Sequence, residues 1–165
     1  MIIYEIGVLG ETHLFKEYLD ACVDLSEPRP GINAGSIILS HSHKINFYFL
    51  DDFNAEVEKE LQLVYPYLLG IIGVFDWQND ISFGYLQELL LNIQKTTVYP
   101  LLYHATNLPD VLPFSRKRIK NGVVLDYGNF LYLDQTGNAK DVRNALQKLI
   151  SLATIQNEKV KTKNN

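Results

Sequence analysis

Short apolar runs that end in turn residues alternate along this chain with stretches of helical period. The first run is Ile2 to Val8, and the run Gly70 to Phe75 is apolar throughout, which predicts a central strand covered on both faces. Such an alternation is typical of βαβ units, in which helices cover a largely parallel sheet. The pattern therefore predicts an α/β fold with three layers.

The predicted sheet has six strands, with helices on both of its faces. The strands are Ile2 to Val8, Ser36 to His41, Ile45 to Leu50, Gly70 to Phe75, Val98 to Tyr103 and Phe130 to Leu133. Helices are predicted at His13 to Leu25 with Thr12 as N-cap, Asn54 to Leu68, Asp80 to Ile93 with Asp80 as N-cap, and Asp141 to Ala153.

Three of the segments that connect these predicted elements have distinctive sequences. The link His41 to Lys44 is short enough for one antiparallel hairpin in the otherwise parallel sheet. Ser26 to Gly35 contains two prolines and two glycines, which predicts an irregular loop. Residues 111–128 are the least regular part, with one helical turn near Arg116 and then Val123 to Leu125 as a short strand or an extended loop.

Composition and length indicate one globular domain. The 165 residues are 47% hydrophobic and 21% charged, which suits a single folded unit over 1–153 followed by a polar, disordered tail over 154–165. The net charge of −4 disfavours nucleic acid as a partner, because phosphate backbones attract clustered Lys and Arg.

The chain offers no sign of secretion or membrane insertion. Its one cysteine, Cys22, has no partner for a disulfide, and the N-terminus lacks the basic start of a signal peptide. The longest apolar runs fall short of the roughly 18 residues that a membrane span needs. We therefore expect a cytoplasmic protein without a membrane span.

Polar residues follow each predicted strand, where open α/β sheets bind their ligands. The first strand is followed by Gly7 to Thr12, and the run Ile45 to Leu50 is followed by Asp51. The fifth strand is followed by Asn107-Leu108-Pro109-Asp110, and the last strand by Asp134 to Asn138. In the order and spacing of these blocks the chain resembles the Ras-like small GTPases over nearly all of 1–153. It is closest to their prokaryotic polarity and gliding-motility relatives.

The resemblance assigns each block a place in a nucleotide site. Gly10-Glu11-Thr12 stands where the phosphate-binding loop (Walker A) has Gly-Lys-Thr, and Asp51 stands in the DxxG motif. The block from Asn107 to Asp110 matches the guanine-reading NKxD motif, and Asp134 to Asn138 matches the last base-contacting loop. If nucleotide is retained, the resemblance implies GTP or GDP at Gly7, Gly10, Thr12, Asp51, Asn107, Asp110 and Thr136, with magnesium at Thr12 and Asp51.

Three substitutions argue against ordinary GTP hydrolysis. Glu11 replaces the phosphate-binding lysine in a loop shortened by two residues, and its carboxylate would repel the triphosphate. Asn54 replaces the DxxG glycine, and Leu108 replaces the lysine beside the base. The resemblance then implies a pseudo-GTPase without catalytic residues, which regulates or scaffolds through the surface of residues 26–64. Its partner would be a roadblock-type regulatory protein or a second copy of the chain.

Two other interpretations stay open. A divergent but active GTPase would bind phosphate with backbone N–H groups at the start of the first helix and use Thr12, Asp51, Asn107 and Asp110. Alternatively, His41, His43 or His104 could serve a metal-binding or small-molecule enzyme, although His41 and His43 also suit a solvated hairpin.

Overall fold

A computed structural model describes residues 1–29, 32–52, 54–93, 99–110, 123–124, 129–134 and 137–163. These residues form one mixed sheet with helices packed on both faces. The strands are β1 (Ile2–Leu9), β2 (Asp24–Arg29), β3 (Ile32–Ser40), β4 (His43–Leu50), β5 (Leu68–Asp76), β6 (Leu101–Thr106), β7 (Val123–Val124) and β8 (Phe130–Leu133). The helices are α1 (Lys16–Ala21), α2 (Ala55–Leu61), α3 (Asp80–Ile93) and α4 (Ala139–Lys163), and 3-10 turns cover Thr12–Phe15 and Tyr65–Tyr67.

The sheet has eight strands in the order β2-β3-β4-β1-β5-β6-β8-β7. Its central pairs, from β4 through β1, β5 and β6 to β8, are parallel. Antiparallel pairs lie at both edges, β2–β3–β4 on one side and β7–β8 on the other. The α/β class agrees with the sequence, but the predicted small-GTPase-like layout of six strands with one hairpin is wrong.

Strand β2 is the main departure from the sequence prediction. Residues 24–29 pair with β3, as Asp24 does with Ser36 and Leu25 with Gly35, where the sequence predicted a helix end and an irregular loop. A Cβ atom on Gly35 would lie 2.5 Å from Cys22 Sγ, so only glycine lets β3 approach this closely. Pro28 is tolerated because β2 is an edge strand.

The first helix is much shorter than the predicted span from His13 to Leu25. The chain enters it through a 3-10 turn, and α1 itself has six residues. Glu11 rather than Thr12 is the N-cap residue of the turn, and it makes no side-chain capping hydrogen bond. The predicted N-cap role of Thr12 is therefore wrong, because its hydroxyl bonds elsewhere.

Two apolar cores lie on opposite faces of the sheet. One face is covered by α1 and α4 and contains Phe15, Tyr18 and Leu146. The other is covered by α2 and α3 and contains Val57 and Leu86. Helices on both faces were predicted, and they leave the carboxyl ends of the central strands open at one edge.

Several elements also begin or end at residues other than those predicted. Helix α2 ends at Leu61, and Asn54 caps it by accepting hydrogen bonds of 3.0 Å from the Glu56 and Val57 N–H groups. Helix α4 continues to Lys163, into the segment predicted to be disordered. Val98, Leu125 and the turn near Arg116 lie outside the described residues. Within the described part of the chain, no helix has both the length and the apolar character to cross a membrane.

Candidate functional site

The strand order reverses at β1, which places a crevice at the carboxyl edge of the sheet. From β1 the chain reaches β4 on one side, and it then crosses to β5 on the other. Ligands of open α/β sheets bind where the order reverses in this way. The residues that follow β1, β4, β5, β6 and β8 are therefore the candidates for a site.

Only Gly10 and Glu11 separate β1 from the 3-10 turn. Gly10 has φ +148°, and a Cβ atom there would lie 2.4 Å from the Val74 carbonyl oxygen. Its N–H donates to the Leu50 carbonyl over 3.2 Å, which holds the connection down on the sheet. Glu11 is partly buried, and its Oε2 has no hydrogen-bond partner among the described residues.

Two predicted magnesium contacts do come together. The Thr12 hydroxyl donates a hydrogen bond to Asp51 Oδ2, which joins the turn after β1 to the end of β4. The Tyr85 hydroxyl, from α3, donates to the Asp51 carbonyl oxygen. Asp51 is thus fixed from two sides, while its carboxylate stays exposed.

The predicted base-reading residues are arranged differently. Asn107 adopts φ +52°, and its Nδ2 donates to both carboxylate oxygens of Asp76 at 3.1 and 3.2 Å. Gln78 Nε2 donates to the Asn107 carbonyl at 2.8 Å. Asp110 is exposed, and Leu108 packs against the core under α3. The Asn107 side chain therefore ties two loops together, with Asp76 as its partner.

One of the remaining two predicted nucleotide contacts, Gly7, does not join this edge. Gly7 lies inside β1, paired with Tyr48 and Ile71, rather than in the following loop. Thr136 falls outside the described residues. The predicted nucleotide site is thus only partly assembled by the described residues.

An aromatic groove of about 570 Å³ lies beside Asp76. Phe75 and Phe83 meet edge to face with their ring centroids 4.9 Å apart, and Phe83 and Tyr103 lie 6.0 Å apart. Asp76, Trp77 and Gln87 are among its other lining residues. This groove could accept an apolar side chain or a flat ring.

A buried histidine lies deeper at the same edge. His104, on β6, is fully buried, and its Nδ1 lies 2.7 Å from the Tyr18 hydroxyl. Its Nε2 has no hydrogen-bond partner among the described residues. Burial lowers the pKa of His104 to about 4, so the imidazole is neutral at neutral pH.

Carboxyl groups surround this histidine. One potential ligand atom from each of Glu17, His104 and Asp134 lies within 4.8 Å of the other two. Burial, followed by a hydrogen bond with Asp141 and the charge of Glu17, raises the pKa of Asp134 to about 8. Asp141 is buried and accepts a hydrogen bond of 2.6 Å from the Tyr132 hydroxyl.

The other two histidine candidates are separate from this edge. His43 Nδ1 lies 3.0 Å from Ser40 Oγ and 2.8 Å from Ser42 Oγ, and its ring stacks on Tyr4. His41 is exposed in the hairpin turn. Among the described residues, neither belongs to a group of three metal-ligating side chains.

Sequence reasoning missed Glu17, Asp76 and Asp141. Acidic residues in helices and at strand ends are ordinary caps and turn formers, so a single sequence does not separate them from a site. Asp141 begins a predicted helix and Glu17 lies within one, which hides their convergence. The one available signal was His104 at the end of a predicted strand.

The fold and this edge define an α/β domain with polar residues gathered at the carboxyl ends of mostly parallel strands. No protein-family model matches the chain, and no curated protein matches its sequence. The chemistry of the edge and the sequence motifs therefore carry the functional inference.

Proposed function

We propose that this chain is a regulatory or scaffold domain that acts through protein contacts and has weakened or lost GTP binding. The proposal rests on one observation, the two-residue connection of Gly10 and Glu11 between β1 and the first helical turn. A phosphate-binding loop needs several residues whose N–H groups surround the phosphates, and a lysine that neutralises their charge. This connection is too short for such a loop and carries an acid.

Among the described residues that follow β1, the nearest cation does not supply the missing positive charge. Lys16 is the first cation along the chain after β1, and it pairs with Asp20 on the exposed side of α1, with 2.8 Å between Nζ and Oδ2. Helix α1 has six residues, so its dipole is a small source of positive potential. A triphosphate at this edge would instead meet the carboxylates of Glu11 and Asp51.

Exposed apolar residues support a protein-binding role. We call Val23 and Leu25 the β2-edge surface, and their exposed fractions are 61 and 62%. Strand β2 is an edge of the sheet, and edge strands present backbone groups to which another strand can pair. The surface therefore suits a partner that adds a strand along β2.

Charge indicates the character of that partner. The segment from Asp51 to Glu60, which follows β4 and includes α2, has five acids and one lysine. Its exposed acids, among them Asp52, Glu56 and Glu58, lie within the predicted contact surface of residues 26–64. A strand-forming protein with basic residues at its rim complements this surface, and by the resemblance we propose a roadblock-type regulator.

Nucleotide titration tests the first half of the proposal. Isothermal titration of the protein with GTP or GDP in magnesium should show no binding tighter than about 1 mM, which is a binding free energy of about −4 kcal/mol. Micromolar binding of either nucleotide would contradict the loss of the site. ATP serves as the matched control for nonspecific binding of a triphosphate.

Surface variants test the second half. Val23→Asp and Leu25→Asp should weaken the binding of a roadblock-type protein at least about tenfold, because a buried carboxylate opposes association. Leu91→Asp is the control, since Leu91 is 70% exposed on α3, on the opposite face of the sheet. Equal binding by all three variants would reject the β2-edge surface. If the wild type does not bind, the proposed partner class is wrong.

The alternative of a divergent active GTPase is favoured by one contact. Thr12 and Asp51 meet, as a magnesium site at this edge would require. In that case the protein should release phosphate from GTP above the buffer rate, and Asp51→Asn should abolish the release. An absence of turnover, with and without a partner, would remove this alternative.

A further inference from the structure

We propose that Glu17, His104 and Asp134 form a binding site for a transition-metal dication such as Zn²⁺. The three residues come from α1, β6 and the residue after β8, and their potential ligand atoms lie within 4.8 Å of one another. Tetrahedral ligands at roughly 2.0–2.2 Å from one ion lie roughly 3.3–3.6 Å apart, so the side chains would move inward by about 1 Å to bind it.

Two buried atoms at this place lack partners. Neither His104 Nε2 nor Glu17 Oε2 has a hydrogen-bond partner among the described residues, and both atoms are inaccessible to solvent. Buried polar atoms are nearly always satisfied, so each such exception calls for a partner. His104 is completely buried within the group, so an ion between the three side chains would supply that partner.

Charge supports the same conclusion. Glu17 and Asp134 face each other with Asp141 beside them, and the neighbouring titratable groups are Tyr18 and Tyr132. Placing several partly buried carboxyl groups together is costly unless protons or a cation offset their charge. A dication would offset it, and one imidazole with two carboxylates favours first-row metals over Mg²⁺.

A neighbouring side chain orients the histidine of this group, as is typical of metal ligands. The Tyr18 hydroxyl holds the Nδ1 side of the His104 ring at 2.7 Å, as outer partners of ligating histidines do. Gly137 lies above the group and is exposed, and a Cβ atom there would be 3.8 Å from Glu17 Oε1 and 4.0 Å from Asp134 Oδ2.

Such an ion would join α1 to the end of β6 and to the connection between β8 and α4. This role is independent of the proposed protein-binding function, because the β2-edge surface lies at the far edge of the sheet. A failure to find the proposed protein partner would therefore not count against the metal site, and a failure to bind metal would not count against the partner.

Calorimetric titration with ZnCl₂ after removal of metal with EDTA tests the site. We expect one Zn²⁺ per chain, and Glu17→Gln and Asp134→Asn should each weaken binding by at least about tenfold. Glu88→Gln, an exposed carboxylate on α3 across the sheet, should leave the affinity unchanged. Mg²⁺ over the same range should give no saturable binding.

Two further measurements do not depend on any single variant. Zn²⁺ should raise the melting temperature of the wild type, and Co²⁺ should give visible absorption bands that Asp134→Asn shifts or abolishes. Failure of the wild type to bind one ion would overturn the proposal. So would equal Zn²⁺ affinity in the wild type, Glu17→Gln and Asp134→Asn, since the ion would then occupy other residues.

Discussion

The Thr12 hydroxyl donates a hydrogen bond to the Asp51 carboxylate and so joins the turn after β1 to the end of β4. The two residues are far apart in sequence, and the parallel pairing of β1 with β4 brings them together. Both side chains are exposed, so the bond operates in contact with water.

Thr12→Val should lower the free energy of unfolding by about 0.5–1 kcal/mol, because one solvent-exposed hydrogen bond contributes about that much. Urea unfolding measures the change. Asp51→Ala and the double variant complete a mutant cycle, and the double variant should lose less than the sum of the two single losses. Additive losses would show that the contact contributes nothing.

Gly10→Ala should be among the most destabilising single changes in the chain. The φ of +148° disfavours any side chain, and the new Cβ atom would meet the Val74 carbonyl oxygen at 2.4 Å. We expect a loss of at least about 2 kcal/mol, since strain and backbone displacement combine. Thermal or urea unfolding provides the measurement.

Gly84→Ala is the matched control for that variant. Gly84 lies within α3, and nothing approaches within 4 Å of the position of its Cβ atom. Alanine there should stabilise the protein by about 0.5–1 kcal/mol, as it does in helix interiors. A similar loss in both variants would show that the close approach at Gly10 has no special cost.

The Cys22 thiol should react slowly with alkylating reagents. Burial, and then the charge of Asp24, raises the pKa of Cys22 to about 11, and the thiol also donates to the Tyr18 carbonyl over 3.1 Å. At pH 8 the thiolate fraction should be about a hundredfold lower than that of a thiol with pKa 9. Iodoacetamide labelling followed by mass spectrometry measures the rate, and the urea-unfolded protein should react as an ordinary thiol.

Stability of the metal-free protein should fall as the pH rises from about 6.5 to 8. Asp134 has a pKa of about 8 in the folded protein against 3.8 as its ordinary value, so only the folded state holds this proton in that window. Below about pH 6.5, His104 acts in the opposite direction. Its folded pKa of about 4 gives a contribution that falls as the pH decreases from 6.5, which offsets the effect of Asp134 in that range.

Asp134→Asn removes the contribution of Asp134 to the pH dependence of stability. The amide does not titrate, so urea unfolding at pH 6.5, 7 and 8 in EDTA should give a flatter profile than the wild type. Below pH 6.5 the variant should lose stability as the pH falls, because His104 is unchanged and the opposing effect of Asp134 is gone. An identical slope between pH 6.5 and 8 in both proteins would mean that Asp134 is already ionised in the folded state.

The alternating apolar pattern was sufficient to predict the α/β class, and β8 is confirmed at its predicted bounds. The pattern failed over residues 22–29, where the sequence predicted a helix as far as Leu25 and an irregular loop from Ser26. Residues 24–29 instead form β2, because pairing with β3 satisfies their backbone and outweighs helical spacing. Local periodicity contains no information about such a distant partner.

Sequence by itself determined that polar residues would gather at the carboxyl edge, since apolar strands ending in turn residues fix which side chains follow each strand. Only the tertiary structure decided which of them meet: Thr12 with Asp51, Asn107 with Asp76, and Glu17 with His104 and Asp134. The physical reason is that strand order and helix placement arise from packing between residues far apart in the chain, whereas turns and helix starts are encoded locally.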